Sequence, residues 1–206
     1  MKPIETIMRT SPVIPALVVD HVAHAIPIAE ALVSGGLRVL EVTLRTAAAL
    51  DVIQAMKQVP GAIVGAGTVL NCRDLDAAIA AGAEFIVSPG LTEKLAHSAR
   101  DREIPFLPGV ATAGDIMRGL DLGLDRFKFF PAEAAGGLKA LRALAAPFRQ
   151  ARFCPTGGIT LASAPEWLAE EAVLCVGGSW LVGKGAPEMA AIHQAAIAAS
   201  GLERAN

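Results

Sequence analysis

A chain of 206 residues, 53% hydrophobic and 18% charged, has apolar material for one substantial core. A net charge of −2 with scattered arginines excludes a basic nucleic-acid-binding face, and no apolar run approaches the length of a membrane span. Three widely spaced cysteines (Cys72, Cys154 and Cys175) suit a reducing compartment, and the first residues lack the apolar stretch of a signal peptide, so a cytoplasmic protein is expected.

A lead helix is predicted over Lys2–Arg9. Short apolar runs then alternate with longer segments of helical period. Strands are predicted at Val13–Val19, Val39–Thr43, Ile63–Ala66, Phe85–Ser88, Phe106–Val110, Phe127–Phe130, Arg152–Pro155 and Val173–Gly177. The intervening helices are Val22–Ser34, Ala47–Lys57, Arg73–Ala81, Thr92–Asp101, Ala113–Leu122, Leu138–Ala145, Ala164–Ala169 and Glu188–Ser200. Such β-α alternation implies the α/β class with a parallel sheet, and the eight units favour a closed (β/α)8 barrel with short connections. No Pro/Gly/Ser-rich linker divides residues 1–206, so a single domain is expected. A doubly wound open sheet is the alternative, but no G-x-G-x-x-G follows the first strand.

In a β/α barrel, side chains at the C-terminal strand ends converge on one site. Lys128 stands in Arg126-Phe-Lys-Phe-Phe-Pro131, the only one of six lysines to interrupt a hydrophobic strand; Lys2, Lys57, Lys94, Lys139 and Lys184 sit in polar, helical or glycine-bounded settings. Desolvating an ammonium is costly, whereas a neutral amine is the nucleophile that forms Schiff bases with ketones. Period-two alternation turns Lys128 and Phe130 inward with Glu41 and Thr43, which lets Glu41 act as proton shuttle to a Lys128 nucleophile. The bland alternative is a buried ion pair without chemistry.

Arg45, just past the second strand, can clamp a carboxylate through two parallel hydrogen bonds. Thr68 lies near the mouth in Gly65-Ala-Gly-Thr-Val69, where the glycines allow close backbone approach. Thr156-Gly-Gly158 and Gly177-Gly-Ser179 follow the last two strands, where exposed backbone N–H groups suit a phosphate. His21 and His24 follow the first strand on the active face, spaced i, i+3, but lack a third ligand, so they read as solvent-facing first-turn residues, and no metal is expected. Cys154 and Cys175 lie in apolar runs and read as small buried hydrophobes.

Taken together, Glu41-Val-Thr-Leu-Arg-Thr46, Gly65-Ala-Gly-Thr-Val69, Ser88-Pro-Gly90, Phe127-Lys-Phe-Phe-Pro131, Pro155-Thr-Gly-Gly158 and Gly177-Gly-Ser-Trp180 resemble the 2-keto-3-deoxy-6-phosphogluconate aldolases. The resemblance spans nearly the whole chain in order. It implies a class I, Schiff-base lyase of the Entner–Doudoroff pathway that needs no cofactor. Lys128 would be the Schiff-base lysine and Glu41 the general acid/base. Arg45 and Thr68 would hold the keto-acid carboxylate, with Pro89 and Phe130 lining the pocket. Thr156 would meet a substrate hydroxyl, and Gly157, Gly158, Gly178 and Ser179 the phosphate. Val18 stands where relatives acting on the galactonate epimer carry an arginine, which favours the gluconate form. The resemblance further implies a homotrimer and a phosphorylated keto acid as the small-molecule partner. Two rivals are a non-covalent sugar-phosphate isomerase or synthase and a non-catalytic barrel.

Overall fold

The structure, a computed structural model, describes residues 2–183 and 185–205. Lys184 lies outside the described residues. Parallel strands run in the order β5 (Phe106–Leu107), β4 (Ile86–Val87), β3 (Ile63–Gly67), β2 (Val39–Thr43), β1 (Val13–Leu17), β9 (Val176–Gly178). A second parallel sheet holds β6 (Gly109–Val110), β7 (Arg126–Phe129) and β8 (Arg152–Pro155). Isolated bridges Phe153↔Val173 and Thr156↔Gly177 join β8 to the segment of β9.

The predicted fifth strand is therefore two strands, one in each sheet. Pro108 divides them because it has no N–H to donate to a ladder. Its carbonyl still serves, accepting the backbone N–H of Lys128 at 2.8 Å. What stands is a curled parallel α/β sheet in two hydrogen-bonded pieces, rather than one unbroken ladder.

Helices α2 (Ala25–Ser34), α3 (Ala49–Met56), α4 (Cys72–Ala80), α5 (Glu93–Asp101), α6 (Ala113–Asp121), α7 (Gly137–Ala145), α8 (Ala164–Leu168) and α9 (Met189–Ser200) connect the strands. Local chemistry sets several starts. Asn71 and Thr92 accept the N–H groups of Asp74 and Leu95, and Thr112 with Asp115 forms a reciprocal capping box before α6. The predicted second helix opens instead as a 3₁₀ turn, Val22–His24.

The apolar residues fall into two buried clusters, as strand alternation requires. Leu40, Val42, Phe127, Phe129 and Phe153 join the larger one, between strands and helices. Ile14, Val39, Phe85, Leu107, Cys154 and Cys175 form the smaller one inside the curl, where α1 (Pro3–Thr10) adds Ile4, Ile7 and Met8. Glu5 on α1 accepts Arg9 at 2.8 Å and Arg126 at 2.8 Å, fastening that helix to the start of β7. The opposite end of the interior, at the C-terminal strand ends, is left open.

Candidate active site

The lysine strand works by division of faces. Phe127 and Phe129 are fully buried outward, the first tilted against Phe153 at 6.1 Å and the second against Trp167 at 6.4 Å. That packing fixes β7 and turns Lys128 inward, 6% exposed. Its Nζ donates to Glu41 Oε1 at 3.1 Å and lies 5.4 Å from the centre of the Phe130 ring. Glu41 is itself 3% exposed. No other carboxylate is paired with Lys128 among the described residues.

Glu41 reaches that position because β3 is empty opposite it. Strand register sets Glu41 beside Gly65 and Thr43 beside Gly67. A Cβ on Gly67 would overlap the Glu41 carboxylate, and one on Gly65 would overlap the Phe85 ring. These glycines thus make room for neighbouring side chains, a different use from the close ligand approach expected of them. Gly177 does the same for Thr156, whose side chain occupies the space a Cβ would take.

Above the pair opens a cavity of ≈ 820 Å³. Lys128, Glu41, Arg45, Thr68, Pro89, Phe130, Thr156, Gly157, Gly158 and Ser179 all line it. Gly178 does not. It is buried with the Trp180 ring where a Cβ would be, and Gly177 is the glycine that faces the cavity. Thr68 is held at φ 60, a left-handed conformation that costs a β-branched residue on the order of 1–3 kcal/mol and is characteristic of functional sites. Gly157 and Gly158 have φ of 105 and 82, so their loop takes a course open chiefly to glycine.

Part of the wall comes from the active-face residues after the first strand, where sequence reasoning places His21 and His24 without giving them a part in the site and does not single out Asp20. Asp20, His21 and His24 line the cavity from the loop after β1, the two imidazoles edge-to-face at 5.6 Å. His21 is exposed as expected, whereas His24 is half-buried, and both edge the cavity. Thr43 also lines it. Its inward face was legible from alternation; its bonds were not. Beneath the pair, burial pushes the Cys175 thiol well up, and the neighbouring Cys154 adds to this. A buried, protonated thiol is inert, as expected of a small hydrophobe.

A buried amine hydrogen-bonded to a carboxylate, at the floor of a cavity rimmed by an arginine, a threonine and glycine loops, is the equipment of a Schiff-base lyase. The family model for KDPG and KHG aldolase matches residues 4–195. The 2-dehydro-3-deoxy-phosphogluconate aldolase of Zymomonas mobilis is 60% identical over 205 residues, covering 100% of this chain and 99% of that one. A crystal structure of the Zymomonas mobilis ZM4 aldolase with 3-phosphoglycerate superposes with a TM-score of 0.98 at 60% identity, covering 100% of this chain and 98% of the other. The Legionella pneumophila KDPG aldolase, with pyruvate captured as a covalent carbinolamine, gives a TM-score of 0.93 at 42% identity and covers 96% of this chain and 98% of that one. The chain belongs to the KDPG and KHG aldolase family.

Proposed function

We propose that this chain is a class I aldolase that cleaves 2-dehydro-3-deoxy-6-phosphogluconate to pyruvate and glyceraldehyde 3-phosphate in the Entner–Doudoroff pathway. The observation that carries it is the Lys128–Glu41 pair, 3.1 Å apart at the base of the cavity. Transfer of one proton along that hydrogen bond leaves a neutral amine and a carboxylic acid. The amine adds to the C2 ketone, and the acid protonates the developing alkoxide. Loss of water gives an iminium. Glu41, again a carboxylate, takes the C4 hydroxyl proton, and the C3–C4 electrons flow into the iminium. Glyceraldehyde 3-phosphate leaves, C3 of the enamine is protonated, and water frees pyruvate and Lys128.

In this scheme Arg45 and Thr68 bind the carboxylate, Pro89 and Phe130 pack on the pyruvyl half, and Thr156 meets a hydroxyl. Gly157, Gly158 and Ser179 take the phosphate; Gly178, buried against Trp180 and off the cavity wall, is left out of that set. The same pyruvate-forming half accepts 4-hydroxy-2-oxoglutarate, releasing glyoxylate, which agrees with a family named for both substrates.

The two sheet pieces read as a single-domain (β/α)8 barrel, supported by the bridges between β8 and β9 and by the covalent continuity of β5 and β6 through Pro108. Three free cysteines suit the cytoplasm. Among the described residues no helix is long and apolar enough to cross a membrane. Family membership supports a homotrimer, which light scattering tests directly.

The function is tested by borohydride reduction with pyruvate and peptide mapping. A reduced adduct on Lys128 is expected. A folded protein that yields no adduct would return the site to a phosphate-binding isomerase.

A further inference from the structure

Thr43 lines the cavity but has no part in the scheme above. It is 2% exposed, at the last position of β2. Its hydroxyl carries one proton, committed to the Leu17 carbonyl at 2.7 Å. What remain are the oxygen's lone pairs, which can only accept, and one of them takes the Nε–H of Arg45 at 3.1 Å. The direction of both bonds is therefore fixed by chemistry. Arg45 is exposed and makes no ion pair among the described residues. With Nε tethered, the guanidinium keeps its two terminal amino groups as a free edge, the edge that binds a carboxylate in parallel.

The rest of the loop is secured independently of that hydroxyl. Leu44 N–H bonds the Gly67 carbonyl at 2.8 Å, and the Thr46 hydroxyl bonds the Val19 carbonyl at 2.8 Å. Among the described residues, the Thr43 hydroxyl is the one group that holds the guanidinium itself. A long side chain restrained before substrate arrives loses less freedom on binding.

We propose that Thr43 is a positioning residue for Arg45, setting affinity for the 2-oxo-acid carboxylate without touching it. The proposal rests on the aldolase reading and extends it to a residue outside the reacting shell.

The test measures half-saturation by pyruvate for borohydride trapping, together with KM and kcat for cleavage, in Thr43→Val, Thr43→Ser, Arg45→Ala and the Thr43→Val/Arg45→Ala double variant. Thr43→Val is expected to raise pyruvate half-saturation and KM about tenfold, the effect of one charge-assisted hydrogen bond, while kcat falls less than about threefold. Thr43→Ser keeps the hydroxyl and should return half-saturation to within about twofold of the parent. In the Arg45→Ala background, Thr43→Val should add nothing, because no guanidinium remains to orient. An undiminished Thr43→Val effect in that background, or equal effects of valine and serine, would overturn the proposal. Should Thr43→Val not fold, Thr43→Ala against Thr43→Ser carries the same contrast. Absence of any adduct in the parent protein would instead overturn the aldolase reading, so the two failures are distinct.

Discussion

Lys128 and Glu41 are 8% and 4% exposed at the side chain, a buried pair that folding alone has little reason to keep. Removing one partner orphans the other. Lys128→Met or Glu41→Leu should each destabilise the protein by about 3 kcal/mol, the low end for a broken buried pair because the cavity admits water. For a chain of this size that is a fall of about 6–12 °C in melting temperature. Replacing both removes the desolvation cost with the attraction, so Glu41→Leu/Lys128→Met should match or exceed the parent by up to about 4 kcal/mol. All three variants should lose aldol cleavage. Stability is read by urea unfolding followed through tryptophan fluorescence, and activity by coupled reduction of the pyruvate released. A double variant clearly less stable than the parent would make the pair a net stabiliser, and turnover retained by Lys128→Met would remove Lys128 from the chemistry.

Three further outcomes follow from the geometry. Gly67→Ala places a Cβ where the Glu41 carboxylate sits, so that flexible side chain must rotate away. We expect kcat to drop about 10²–10⁴-fold, the usual worth of a positioned acid/base, with Lys128 still trapped by pyruvate and borohydride; an unchanged kcat would disprove the room-making role. Ser179→Ala should raise KM for the phosphorylated substrate about tenfold and leave 4-hydroxy-2-oxoglutarate within about twofold, and equal losses on both would refute the phosphate assignment. At the far end of the molecule, the Arg9 guanidinium hydrogen-bonded to Glu5 holds that carboxyl below its usual range, and Arg126 assists against the opposing effect of burial. A depressed carboxylate stabilises above its unfolded pKa and loses that contribution as pH falls through its folded one. Glu5→Gln should therefore cost about 1.5–3 kcal/mol at neutral pH. The gap between variant and parent should close below about pH 4.5. A gap independent of pH in urea melts would exclude the charge as its source.

How much of this was legible in the chain depends on the range of the determining interaction. The faces of β2 and β7 follow from alternation within a strand, and Leu40, Val42, Phe127 and Phe129 do pack outward while Glu41 and Lys128 meet inside. Pro108 was equally visible, yet a proline inside an apolar run reads as a strand until a neighbour's demand for its N–H is known. Its consequence appears only when β5 pairs with β4 and β6 with β7. Position after the first strand sets His21 and His24 at the active end, but their lining of the cavity with Asp20 depends on the path of the loop after β1, which no periodicity encodes.

The glycines carry the deeper lesson, because their meaning lies in other residues. In the sequence, Gly65 and Gly67 allow close backbone approach, and Gly157-Gly158 and Gly177-Gly178 look like twin loops for phosphate. In the fold, Gly65, Gly67 and Gly177 leave the space that Phe85, Glu41 and Thr156 occupy. A narrow parallel curl cannot hold large inward side chains on every strand at one level, so strands β3 and β9 yield theirs to β2 and to the segments around Phe85 and Thr156. Gly157 and Gly158 differ in combining a positive φ with a place on the cavity wall, which suits their backbone N–H groups, with Ser179, to the phosphate proposed there. Paired glycines at the end of a parallel strand thus serve two physical needs, room for a neighbouring side chain and a positive φ, and Gly158 meets both, since a Cβ there would also overlap Glu133.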